Sequence, residues 1–127
     1  MSVNLALAAL LSIGPYAAED RAADLADLRW ENRPVLIFAE SRDDAELREQ
    51  LDRLGRAQAA LVERRMAILI DTGEDTALRR RFEPDGFTVI LIGLDGSEKL
   101  RRGRVVEAGE LTGLVDTMPM RRREMRE

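Results

Sequence analysis

Three short, unbroken apolar runs constrain the fold of this chain more than any other feature. They are Pro34 to Phe38, Met66 to Ile70 and, in the strand Thr88 to Ile92, the run that follows Thr88. A strand with one wet face alternates apolar and polar residues, whereas a continuous run suits a strand covered on both sides. Three such strands require helices on both faces of one sheet. Pro34, at the start of its run, needs no ladder donor and pushes Arg33 toward extended geometry.

The segment between the first two runs reads as one long helix. Ser41 is its expected N-cap, with Asp43 and Asp44 in the first turn, where negative charge favours the helix dipole. Leu47, Leu51, Leu54, Gln58 and Leu61 form the core stripe, and Gly55 permits a close approach to the sheet or a bend. Strand, helix, strand is a βαβ unit, so its strands are parallel with a right-handed crossover. Asp71 to Glu74 is a loop. Asp75 is expected to cap a short helix carrying Leu78 and Phe82, which Pro84-Asp85-Gly86 ends.

From Phe87 to Leu100 the chain reads as a buried strand, a tight turn over Gly93-Leu94-Asp95-Gly96, and a wetter return strand over Ser97 to Arg101. Lys99 and Arg101 mark that return strand as an edge. Leu111, Leu114, Val115 and Met118 define a last amphipathic helix ending near Pro119, followed by an Arg-rich tail that adds a turn or frays. Ahead of the domain, Ala22 to Leu28 reads as one or two helical turns, and Trp30 is expected to anchor them against the core.

The 127 residues suffice for one domain and one core. Residues 1–18 are set apart as a signal peptide or an N-terminal apolar helix, and 19–127 as the single domain. The apolar run Val3 to Ile13 is too short to span a membrane and fits a signal-peptide core, with cleavage near Ala17 or Ala18. A periplasmic or secreted location follows from the first choice and a cytoplasmic one from the second. The net charge of −4 argues against a general nucleic-acid binder. The chain has no cysteine and no histidine. Disulfides, thiol redox chemistry, thiolate metal sites and Ser-His or Cys-His catalysis are therefore closed to it. No cofactor is expected.

The element order βα-βα-β-β-α matches a thioredoxin core without its first strand. The expected spatial order, by first residues, is Met66, Pro34, Thr88, Ser97. The expected fold is thus a thioredoxin-like three-layer α/β sandwich on a four-stranded mixed sheet. Three groups of residues carry a resemblance: Trp30-x-x-Arg33-Pro34; Leu91-Ile92-Gly93-Leu94-Asp95-Gly96 with Lys99; and Asp116-x-Met118-Pro119-Met120-Arg121-x-x-Glu124-Met125. They resemble a thioredoxin-like domain family of unknown function, found in short, often exported bacterial proteins. The same domain is repeated in animal extracellular proteins of the sushi-repeat and coiled-coil-domain-80 kind. The resemblance implies fold and export but no activity. It would set the redox motif at Arg42-Asp43-Asp44-Ala45 and the cis-proline near Phe87-Thr88, and this chain carries neither.

Two functional readings follow. The first is a non-catalytic binding domain that presents Glu40, Ser41, Arg42, Asp43, Asp44, Asp71 and Phe87 to a protein or peptide partner. The second is a carboxylate-based metal or hydrolytic site on Glu40, Asp43, Asp44 and Asp71. Arg121, Arg122, Arg123 and Arg126 offer a contact for an anion or membrane surface, or form a solvated tail paired with Glu124 and Glu127. Arg33 and Lys99 are ligand contacts or members of a structural ion pair, for instance with Asp116.

Overall fold

In the computed structural model, which describes residues 22–126, the three apolar runs lie side by side. The elements are α1 (Ala22–Leu28), β1 (Arg33–Phe38), α2 (Ala45–Arg56), α3 (Gln58–Glu63), β2 (Met66–Asp71), α4 (Ala77–Phe82), β3 (Thr88–Ile92), β4 (Glu98–Arg102), α5 (Ala108–Asp116) and α6 (Pro119–Arg126). The leader reading over residues 1–18 and the pairing with Glu127 lie outside the described residues.

The sheet order is β2-β1-β3-β4. β1 and β2 are parallel, with Val35 level with Ile68. β1 and β3 are antiparallel, with Val35 level with Leu91, and β3 and β4 form the hairpin. Spatial order and strand directions are those expected from the sequence.

Alternation along the strands divides the apolar residues between two cores. Val35, Ile37, Ile68, Ile70, Val89 and Leu91 face α2, α3 and α5, meeting Leu47, Leu54, Leu61, Leu111 and Val115. Leu36, Phe38, Leu69, Ile90 and Ile92 face α1 and α4, meeting Leu25, Leu28, Leu78 and Phe82. Helices therefore cover both faces, as the unbroken runs demand, and the domain is a three-layer α/β sandwich of the thioredoxin-like kind. β4 alone is wet along its length.

Several local expectations are corrected. The N-cap of α2 is Asp44, not Ser41: Asp44 Oδ1 accepts from the backbone N–H groups of Glu46 and Leu47. Ser41 instead accepts from the Asp43 N–H ahead of the helix. Both residue types cap helices well, and the first buried residue, Leu47, places the start three positions later. The long helix is two helices broken at Ala57. Thr76, not Asp75, caps α4 by accepting from Arg79 N–H, while Asp75 pairs with Arg80. Pro119 opens a helix as well as following one, because a first-turn residue needs no N–H donor.

Trp30 does not anchor the core. It is 51% exposed and its φ is +69°. Its N–H donates to the Leu94 carbonyl at 2.7 Å, and the left-handed backbone that ends α1 turns its ring outward. Gln50, which escaped notice in the sequence, is fully buried. Its side-chain amide donates to the Val106 carbonyl, and its carbonyl oxygen accepts from the Val106 N–H, tying α2 to the segment before α5.

Candidate functional site

The residues singled out in the sequence fall at opposite ends of the sheet. At the carboxyl ends of β1 and β2 stand Glu40, Ser41, Arg42, Asp43, Asp44 and Asp71, with Phe87 beside the start of β3. Glu40 and Arg42 are exposed, and Phe87 is a core residue. Asp43 is an exposed partner of Arg48, and Asp44 is taken up by its cap. Asp71 is buried, and its oxygens accept from Thr76 at 2.6 Å, Gly73 N–H at 3.0 Å and Arg79 at 3.3 Å. Among the described residues no group of three acidic side chains is arranged to hold a metal ion. This end is a capped helix start and an internally satisfied loop.

The other end is different. Because β1 and β3 are antiparallel, the start of β1 lies beside the end of β3. The break between α5 and α6 is also brought here. A cleft of about 410 Å³ opens there, lined by Arg33, Gly93, Leu94, Asp95, Lys99, Leu114, Met118, Pro119 and Met120. All but Leu114 belong to the three sequence groups that carry the family resemblance. Segments far apart in the chain thus meet at one concave surface.

The cleft has an apolar wall and a charged floor. Leu94, Leu114, Met118, Pro119 and Met120 form the wall. Gly93 leaves room for the Lys99 side chain: a Cβ at Gly93 would lie 2.5 Å from Lys99 Cε. Lys99 Nζ donates to Asp95 Oδ2 at 3.2 Å. Asp95 also accepts from the backbone N–H and hydroxyl of Ser97. The backbone N–H first, then the hydroxyl and Lys99, pull its carboxyl down to about 2. Such a carboxylate is a weak general base at neutral pH.

Arg33 is 1% exposed. Its guanidinium donates to Glu124 at 3.0 and 3.4 Å and to the Arg64 carbonyl at 2.7 Å. Glu124 also accepts from Arg65 at 2.6 Å and from Arg121 at 3.4 Å. Arg121, itself buried, reaches Glu63 at 2.6 Å and Asp116 at 3.2 Å, and Arg64 grips Asp116 with two bonds at 2.9 and 3.0 Å. Burial alone would raise the Glu124 carboxyl, but hydrogen bonds from Arg33 and Arg65 hold it at about 2. Asp116 is lowered chiefly by its hydrogen bonds to Arg64.

This network revises the reading of the C-terminal arginines. Arg121 is a buried strut, and only Arg122, Arg123 and Arg126 face solvent. Arg101 pairs with Glu98, and Arg102 and Arg104 pair with Glu110. Arg33 pairs with Glu124 rather than Asp116, and Lys99 with Asp95. The parts missed in the sequence are Glu63, Arg64, Arg65 and Leu114. Glu63-Arg64-Arg65 sits directly before β2, and three charged residues at the mouth of a buried strand were the available signal.

Fold and site together define a small α/β sandwich domain with a partly buried ion network beside a mostly apolar cleft. The chain belongs to the family described as Domain of unknown function (DUF4174), which matches it over residues 24–124. No curated protein matches the chain.

Proposed function

We propose that this protein is a non-catalytic binding domain whose binding surface is the cleft between the β3–β4 turn and the α5–α6 break. The observation that carries this reading is the convergence of Arg33, Gly93, Asp95, Lys99, Met118, Pro119 and Met120 on one concavity. Ligand sites are typically clefts of roughly 300–1,000 Å³ with mostly apolar walls and a few placed polar groups. The cleft offers no cysteine, histidine or hydroxyl nucleophile, and its one carboxylate is a weak base. The ion network beside it holds Arg33 in a fixed position, which lowers the ordering cost of binding.

The same reading takes the scaffold as a thioredoxin relative that has lost its redox site, and takes the mature domain to act in the periplasm or outside the cell. The strand order and the absence of cysteine support the first part. The apolar run Val3 to Ile13 supports the second. The satisfied side chains around Asp44 and Asp71 favour the cleft over the opposite sheet end, both as a partner surface and as a carboxylate site.

Anilinonaphthalene sulfonate, an apolar anion, is a suitable first probe. Its fluorescence should rise on the native chain. Met120→Glu, which adds a like charge at a partly exposed cleft position, should weaken that binding about tenfold without altering the urea midpoint. No enhancement on native protein, or enhancement indifferent to Met120→Glu, would contradict the assignment.

A further inference from the structure

One buried side-chain polar atom among the described residues lacks a hydrogen-bond partner in the protein: Arg33 Nε. Nη1 and Nη2 of the same guanidinium are engaged by Glu124 and the Arg64 carbonyl. A buried N–H on a charged group is costly to leave unsatisfied. Arg33 lines the cleft although it is only 1% exposed, so the unsatisfied donor sits within the wall of the cleft rather than open to it.

The charge balance points the same way. Arg33, Arg64, Arg65 and Arg121 meet Glu63, Asp116 and Glu124, so four cations face three carboxylates. The network thus carries one surplus positive charge, spread over buried Arg33 and Arg121, mostly buried Arg64 and half-exposed Arg65. Lys99 adds an ammonium with three donors, of which Asp95 takes one. The rest of the lining is hydrocarbon and thioether surface from Leu94, Leu114, Met118, Pro119 and Met120, together with the Asp95 carboxylate that pairs with Lys99.

We propose, building on the cleft as a binding site, that its ligand is a small carboxylate carried on an apolar chain. The carboxylate accepts from Arg33 Nε and from Lys99 Nζ, which satisfies the orphan donor and neutralises the surplus cation. The chain lies along Leu94, Leu114, Met118 and Met120. A multiply charged phosphate would set its remaining charge against this apolar wall and Asp95, whereas a single carboxylate matches a single surplus charge.

Calorimetric titration of the full chain with octanoate, octanol and acetate tests this directly. Octanoate should bind at least about tenfold tighter than octanol, because a charge-assisted hydrogen bond is lost in the alcohol, and acetate should give no measurable heat. Lys99→Met should weaken octanoate about tenfold and leave octanol unchanged, and Gly93→Ala, through displacement of the Lys99 side chain, should also weaken octanoate. Lys99 is exposed and Gly93 belongs to neither core cluster, so both variants keep the proposal open to test where Arg33→Met fails to fold.

Equal binding of octanol and octanoate would overturn the carboxylate assignment while leaving the cleft a binding site. So would octanoate binding indifferent to both variants. Preference for a tripeptide with a free leucine carboxylate over octanoate would overturn the choice of a small molecule and transfer the site to protein C-termini. Failure of both octanoate and anilinonaphthalene sulfonate to bind would overturn the cleft as well.

Discussion

The guanidinium of Arg33 and the carboxylate of Glu124 meet at 3.0 Å across 91 positions of sequence, and the arginine is buried. This contact joins the start of β1 to the last helix. It keeps α6, an Arg-rich segment with little apolar surface of its own, folded against the domain.

Glu124→Gln keeps the shape of that carboxylate and removes its charge. It leaves the buried Arg33 without its counter-ion and also strips a partner from Arg65. Removing one member of a buried pair costs about 3 kcal/mol or more. Urea unfolding of the variant should show that loss, and a change under about 0.5 kcal/mol would place the network at the surface in energetic terms.

The same carboxylate sets an acid limit. Glu124 ionises at about 2 in the folded chain against an ordinary 4.5. A depressed folded value means the stabilisation is fully present above about 4.5 and is lost as pH falls toward 2. The amount at stake is on the order of 3 kcal/mol. Thermal unfolding followed through this window should show a steep decline in the wild type and a shallower one in Glu124→Gln. Asp95, also at about 2, shares the window but is half-exposed, so Asp95→Asn should flatten the decline far less. Equal slopes in wild type and Glu124→Gln would remove Glu124 from the account.

Gln50→Leu preserves bulk on the buried face of α2 but leaves the Val106 N–H and carbonyl without their partners. Two unsatisfied buried backbone groups should cost about 3 kcal/mol, read by urea unfolding. Hydrogen exchange at the Val106 amide should accelerate along with it. An unchanged midpoint would mean that water replaces the glutamine at no cost.

Trp30→Asn tests the outward position of that ring. A buried Trp would cost about 3–5 kcal/mol on truncation. An exposed Trp in a left-handed conformation, replaced by a residue that tolerates that conformation, should change stability by less than about 1 kcal/mol. A loss of several kcal/mol would restore the core-anchor reading.

The sheet was legible because each strand is an uninterrupted apolar run and each connection has its own punctuation: Pro34, the Asp71 loop, Pro84-Asp85-Gly86 and Gly93 to Gly96. Burial on both faces confines polar residues to the strand ends, at Arg33, Asp71 and Thr88, and leaves an apolar run between, which is a local signal. The caps were less legible, since Ser41, Asp43, Asp44, Asp75 and Thr76 are all competent and only packing selects among them. Trp30 was misread because a left-handed turn at a non-glycine residue has no sequence signature, and large aromatics usually bury. Gln50 shares a helical face with Leu47 and Leu54, so its spacing was available, but its polarity placed it outside the stripe.

The site was half legible. Its residues carry the family resemblance, but pairing of Arg33 with Glu124, or of Arg121 with Glu63, is not written in any local pattern. Ser41 and Asp71 stand at the carboxyl end of a parallel strand pair, the usual ligand edge of such a sheet. Here the antiparallel neighbour, β3, carries its turn to the amino end of β1, and the α5–α6 break completes a cleft there.

The most direct test of that cleft is amide chemical-shift mapping of the full chain titrated with octanoate. The account predicts shifts concentrated on Arg33, Gly93, Leu94, Asp95, Leu114, Met118 and Met120, with the amides of Ser41 to Asp44 unmoved. Shifts centred on Ser41 to Asp44, or none above those caused by acetate, would contradict it.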